Sequence, residues 1–224
     1  MLCTNCGGEA RPKGSVCSRC GFDLKHVIAL MNEPDEAPDE AGDGMRLRPA
    51  QDIARRALTL TAVISCAYGN PRPAVVKWLK KEKLWREATP AERKFLLQAA
   101  STKARIAFTW KVEALVPLLW AVGKIDRMPG LGRQCDVAAL EPAVRWPLQP
   151  ARDYVSSATL RDAEEISTQH EKVYRAHWKV RDAQLAGKSV PKGLHPEVVQ
   201  ERHYGFNWLT GYMKQSWDDI TTDT

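Results

Sequence analysis

Long apolar runs are missing from this chain. Crossing a bilayer takes about 18 consecutive apolar residues, and the longest candidate, ALVPLLWAVG at 114–123, is too short. Membrane functions are therefore excluded. The start, MLCTNCGG, lacks the basic, apolar and small-residue order of a secretory signal, so the expected location is the cytoplasm. Strand-like alternation is scarce, which argues against a sheet in the body of the chain. No HExxH occurs, and no HxE precedes the cysteine pairs, so neither a zincin nor a zinc deaminase fits. AGKSV at 186–190 imitates a phosphate loop, but Asp182 stands where its first glycine belongs and no strand precedes it. GLGRQC likewise lacks the strand context of a dinucleotide loop and reads as a turn.

Cysteines are few, six in all, yet four of them form CTNC, Cys3 to Cys6, and CSRC, Cys17 to Cys20, each followed by glycine. Tetrahedral zinc takes four thiolates, and a two-residue gap lets one tight knuckle offer two sulfurs to the same ion. Glycine after each pair frees the backbone to turn. Fewer than about 30 residues cannot build a stable apolar core, so metal binding supplies the folding energy of such a segment. The expectation is one structural Zn2+ on Cys3, Cys6, Cys17 and Cys20, in a β-hairpin with two knuckles over residues 1–28. Paired redox dithiols are the competing reading, but no thioredoxin-like βαβ pattern surrounds them. The segment, with its tail CGFDL, resembles the small zinc-ribbon domains at the front of many bacterial proteins. Cys66 and Cys135 lack such partners and read as free thiols, Cys66 on a buried helix face.

Charge is unevenly placed. Residues 1–30 carry a net +2, residues 31–44 carry six carboxylates and no base, and +10 is left for residues 45–224. The segment MNEPDEAPDEAGDG cannot bury enough apolar area to order itself, so residues 29–48 read as an acidic flexible linker. The basic body can attract phosphate-rich or acidic partners, although it has no run of five basic residues; its densest stretch is KWLKKEK, Lys77 to Lys83.

From residue 49 to 224 the periodicity is helical, and the expectation is an all-α domain of about six helices. DIARRALTLTAVISCAYG repeats apolar residues at helical spacing and stops at Gly69, Asn70 and Pro71. RPAVVKWLKKEKLW starts a second helix with Pro73 in its first turn. TPAERKFLLQAA opens on a capping box, with Thr89 as cap, Pro90 at the first helical position and Glu92 reaching back. The next helix runs to Gly123 with Pro117 in its interior and is apolar all round, which marks it as the central buried element. EPAVRWPLQPARDY reads as a proline-rich crossing, with one turn at most near Asp136 to Leu140. Helical pattern resumes from Leu160 to Gly187 and from Pro196 to Tyr212. The eight tryptophans mostly supply core bulk.

The blocks WLKKEKLWREATPAERKFL, WKVEALVPLLWAVGK, YRAHWKVRDAQLAG, ERHYGFNWLTGY and WDDITTDT resemble, in order, the signature blocks of an uncharacterised bacterial family, domain of unknown function family 4272. The resemblance covers about residues 46–224. It implies an independent domain and carries no activity, cofactor or catalytic residue.

Candidate chemistry lies in the last two helices. At 100° per residue, the helix through VYRAHWKVRDA places Ile166, His170, Val173, Tyr174, His177, Trp178, Val180, Arg181 and Leu185 on one broad packing face, with Glu171, Lys172, Arg175 and Lys179 opposite. In the following helix Arg202 sits among Val198, Val199, Phe206 and Leu209, with His203 at the edge. A buried guanidinium has five donors and a permanent charge, so it needs a carboxylate, carbonyls or a bound anion. Glu113, Asp126, Asp182, Glu201, Asp218 and Asp219 are the available counter-charges, and Asp218 is the favoured one because a chain end can fold back across both helices. Two readings stand. In one, Arg181 and Arg202 pair with carboxylates such as Asp218 and the histidines bond carbonyls, giving a structural clasp in a non-enzymatic protein- or nucleic-acid-binding adaptor. In the other, His177, Arg181, Arg202 and His203 line a cationic pocket of a histidine-dependent phosphodiesterase or nuclease, with His177 or His203 moving the proton.

Overall fold

The structure, a computed structural model, describes residues 46–144 and 149–224. The chain divides into two units, Met1–Gly44 and Met45–Thr224, and the described residues belong to the second. Cys3, Cys6, Cys17 and Cys20, and the acidic segment 31–44, lie outside the described residues.

Eight α-helices and two single 3₁₀ turns make up the described residues, with no strand among them. The helices are α1 (Ala50–Ala67), α2 (Arg72–Lys81), α3 (Pro90–Leu97), α4 (Thr102–Ala121), α5 (Val137–Val144), α6 (Ala151–Ser156), α7 (Ala163–Leu185) and α8 (Pro196–Leu209). The 3₁₀ turns are Tyr212–Lys214 and Trp217–Asp219. The expected six helices become eight because α5 and α6 form where the sequence reads as loop and crossing. Each has a starting device. The Asp136 side chain accepts the Ala138 N–H at 3.0 Å, and Glu82, from the end of α2, accepts the Ala151 N–H at 2.9 Å and so caps α6 from a distance. None of the described helices is long and apolar enough to cross a membrane.

The capping box of α3 forms as expected: Thr89 accepts the Glu92 N–H at 3.2 Å while Glu92 accepts the Thr89 N–H at 2.9 Å. The last ten residues of α4, Val112 to Ala121, are all buried and form the centre of the domain, whereas its first half, Thr102 to Lys111, is exposed or half-buried, so the expected central buried helix holds for the second half only. Helix α4 packs between α1 and α8, and α7 lies against the other side of α8. The α4–α8 crossing is close enough that Gly205 has no room for a side chain: a Cβ there would stand 2.4 Å from the Ala114 carbonyl oxygen and 3.2 Å from Pro117 Cγ. A small residue at the contact sets the interhelical distance.

The chain end folds back over α8 and α1. Trp217 meets Tyr204 and Trp208 edge to face, with ring centroids 5.2 and 5.4 Å apart. Arg56, on α1, stacks its guanidinium over the Trp217 ring at 4.4 Å and pairs with buried Glu92. The entering chain is tied down nearby, since Arg48 donates to the carbonyls of Trp208 at 2.7 Å and Gln215 at 3.0 Å. Of the tryptophans, Trp78, Trp120, Trp208 and Trp217 are buried, while Trp178 is exposed.

Candidate functional site

Three histidines meet between α7 and α8. His177 and His203 are buried and face each other with Nδ1 to Nδ1 at 3.0 Å. One ring must donate and the other accept, so at most one carries a proton on that nitrogen. Asn207 donates through Nδ2 to the Thr221 carbonyl at 2.8 Å, which leaves its Oδ1 to accept from His170 Nε2 at 2.8 Å. His170 is therefore the Nε2–H tautomer. Burial lowers the pKa of all three imidazoles. For His203 burial, seconded by the neighbouring His170 and His177 against weaker opposition from Asp223 and Asn207, brings it down to about 3. At neutral pH the cluster is a set of neutral rings. A base so far below the working pH moves protons poorly. Among the described residues no three His, Cys, Asp or Glu side chains are grouped to hold a metal.

Arg202, next to His203 in α8 and about 100° around the helix from it, is answered by Glu113 of α4. Both side chains are fully buried, with Arg202 Nε donating to Glu113 Oε2 at 2.8 Å. Glu113 Oε1 accepts the Cys135 backbone N–H at 2.6 Å, and Arg202 Nη1 donates to the Pro129 carbonyl. The pair thus holds the loop between α4 and α5 at two points. Two more anchors fix the same loop. Arg161 donates to the carbonyls of Ile125 and Asp126 at 3.1 and 3.2 Å, and His195 N–H donates to Leu131 O at 2.9 Å. Under the loop, against α7 and the turn at Gly193, lies a cavity of about 490 Å3.

Several sequence expectations are corrected here. Arg181 is exposed and donates to Gln184 Oε1 at 3.1 Å, so it does not belong to a packing face. Trp178 and Tyr174 are exposed by 49% and 37%. The buried arc of α7 keeps Ile166, Val173, His177 and Val180 of the expected face and adds Ala176 and Ala183. The arc is shifted away from Tyr174, Trp178 and Arg181 and towards Ala176 and Ala183, because small residues, not the aromatic ones, let α7 close on α8. Asp218 meets neither arginine; its Oδ2 accepts the Ala91 N–H at 3.1 Å at the start of α3. His177, Arg181, Arg202 and His203 do not line a common pocket: Arg202 borders the loop cavity, while His203 borders a separate depression of about 570 Å3 with Tyr174, Tyr212 and Asp223.

Glu113 is one of the six candidate counter-charges in the sequence, and it, not the favoured Asp218, meets Arg202. The available signal was a lone carboxylate within an otherwise apolar buried run, which requires a cation. The Arg56–Glu92 pair is hidden in the sequence, because Glu92 also closes the capping box of α3. Cys66 and Cys135 are free, as expected, and Cys135 is buried as well as Cys66. Burial raises the Cys66 thiol to about 11 and, with Glu113 beside it, the Cys135 thiol to about 12, so neither is a nucleophile at neutral pH.

A second feature lies on the outer face of α2. Pro73, Val76, Leu96 and Leu97 line an open groove of about 680 Å3, and Arg72, Lys77 and Lys80 rim it. Leu97 is 62% exposed. Arg72 donates to the Gln98 carbonyl at 2.9 Å and lies over the Phe95 ring. Among the described residues no carboxylate pairs with Lys77 or Lys80.

The helical unit and the order of its sequence blocks lead to a family. A family of uncharacterised domains, the domain of unknown function DUF4272, matches residues 26–220, and the chain belongs to it. The match begins upstream of residue 46, within the stretch that reads from sequence as ribbon and linker. No curated protein and no solved structure matches the chain.

Proposed function

We propose that the protein works by binding, without a catalytic cycle, and that its helical domain docks an acidic protein segment bearing apolar side chains in the α2–α3 groove. The observation that carries this reading is the apolar floor of Val76, Leu96 and Leu97 beside Lys77 and Lys80, neither of which pairs with a carboxylate among the described residues. Burying the floor supplies affinity, and the lysines select a partner of opposite charge. A nucleic acid suits the groove less well, because no aromatic face lines it for bases to stack upon. The phosphodiesterase alternative would need His177, Arg181, Arg202 and His203 around one substrate; Arg202 is engaged by Glu113, and Arg181 points to solvent beside Gln184.

The test uses a fluorescent peptide of alternating Glu and Leu with the full chain, followed by anisotropy. Binding should weaken with salt, and the exposed double variant Lys77→Glu/Lys80→Glu should lose roughly tenfold or more in affinity, as charge reversal at a rim does. An unaffected double variant would remove the groove from consideration. Tighter binding of an oligonucleotide than of the peptide, with the steep salt slope of phosphate contacts, would replace the protein partner by a nucleic acid.

The same proposal gives the amino-terminal Cys3, Cys6, Cys17 and Cys20 one structural zinc ion, supported by their spacing alone. It places the protein in the cytoplasm, where reduced thiolates are available to the metal. Metal analysis of purified protein should find about one ion per chain, lost in Cys17→Ser. Full zinc retention in that variant would overturn the ligand assignment.

A further inference from the structure

We propose that the cavity under the Ile125–Gln134 loop binds a small monoanionic carboxylate with an apolar body, whose carboxylate is taken by Arg202 Nη2. This inference is independent of the α2–α3 groove. Its first support is an unmet donor: Arg202 is 0% exposed, its Nε and Nη1 are engaged, and Nη2 has no hydrogen-bond partner. A buried donor left unmet is destabilising, and Arg202 borders the cavity. The second support is the cavity. Its volume of about 490 Å3 suits a small molecule, and its loop wall is already anchored at Ile125, Pro129, Leu131 and Cys135. A site fixed in advance loses little freedom on binding.

The walls define the ligand class. Trp120, Met128, Leu131, Val173 and Leu194 offer apolar surface. At the mouth stand Lys172 and Arg127, both exposed and without an ion pair among the described residues, opposed by Asp126 and by Glu165, which Arg161 engages at 3.3 Å. Glu113 already offsets the charge of Arg202, so a single negative charge suits the floor better than the double charge of a phosphate. The free Nη2 offers a charge-assisted hydrogen bond to one carboxylate oxygen.

Thermal shift with hexanoate, phenylacetate, phenylacetamide and inorganic phosphate, on the full chain, tests the proposal. The two carboxylates should stabilise in a saturable way, and the amide should not. Gln169→Trp, a half-exposed wall position, should fill the cavity and abolish the effect while leaving the unliganded melting temperature near wild type. Lys172→Ala/Arg127→Ala, both at exposed positions, should weaken the carboxylates roughly tenfold, as expected for lost charge-assisted contacts. Equal stabilisation of the Gln169→Trp variant would overturn the site. So would the absence of saturable stabilisation by either carboxylate, and so would phosphate binding more tightly than both.

Discussion

Glu113 and Arg202 concentrate most of what one residue pair can do in this domain. A carboxylate inside an apolar helix is stable there only because Arg202 Nε and the Cys135 N–H complete its two oxygens at 2.8 and 2.6 Å. Removing one partner leaves a buried charge with no answer, a loss of about 3–5 kcal/mol. Glu113→Gln should therefore lower the unfolding free energy by about that amount in urea denaturation. The double variant Glu113→Leu/Arg202→Met, which removes both charges and keeps the volume, should be the more stable of the two. A Glu113→Gln variant within about 1 kcal/mol of wild type would mean that the pair is not the clasp between α4, α8 and the loop. Sequence alone could say that Arg202 is buried and requires a counter-charge, since Val198, Val199, Phe206 and Leu209 flank it at helical spacing. It could not choose among six carboxylates, because the choice depends on which helix crosses α8.

The helices themselves were more legible than their contacts. Capping residues act within one turn of chain, so Thr89, Pro90 and Glu92 specify the start of α3 wherever the helix ends up. The caps of α6 and α3 that come from Glu82 and Asp218 arrive from 69 and 127 residues away and leave no local pattern. The inward face of α7 is legible through Ile166, Val173, His177 and Val180 but not at its edge: aromatic bulk at Tyr174 and Trp178 outweighs Ala176 and Ala183 in a hydrophobic count, yet close helix packing favours the small residues. Gly205 shows that preference at its sharpest. An added methyl group at Gly205 must displace the Ala114 carbonyl, which belongs to the backbone of α4 and cannot rotate away. Gly205→Ala should therefore force α4 and α8 apart and cost about 1–3 kcal/mol or more, even though alanine favours the isolated helix. Thermal unfolding followed by circular dichroism reads this directly. A rise in melting temperature would show that helix propensity outweighs the crossing and that α4 and α8 approach less closely.

At the scale of the whole molecule, the histidine cluster ties stability to pH. His170, His177 and His203 are each held neutral by burial, with folded pKa values below the ordinary 6.5. The unfolded chain binds protons there first, so stability rises with pH across the gap between unfolded and folded values. The stabilisation is complete above pH 6.5 and drains away as pH falls through that value towards the folded pKa, which for His203 is about 3. Inside that window each withheld proton contributes a slope of about 1.4 kcal/mol per pH unit. A charged His203 would face the rings of His170 and His177, with Asp223 as the nearby carboxylate. His203→Gln removes one withheld proton while keeping a polar side chain at the site. Urea denaturation at pH 7.5, 6.5, 5.5 and 4.5 should find the variant less stable than wild type at pH 7.5, having lost the His177 contact at 3.0 Å. Its acid slope below pH 6.5 should be shallower by up to one proton's worth. Parallel slopes in the two proteins would mean that His203 takes up its proton in the folded state, and the three rings would then be a titrating group open to solvent and not a packed neutral core.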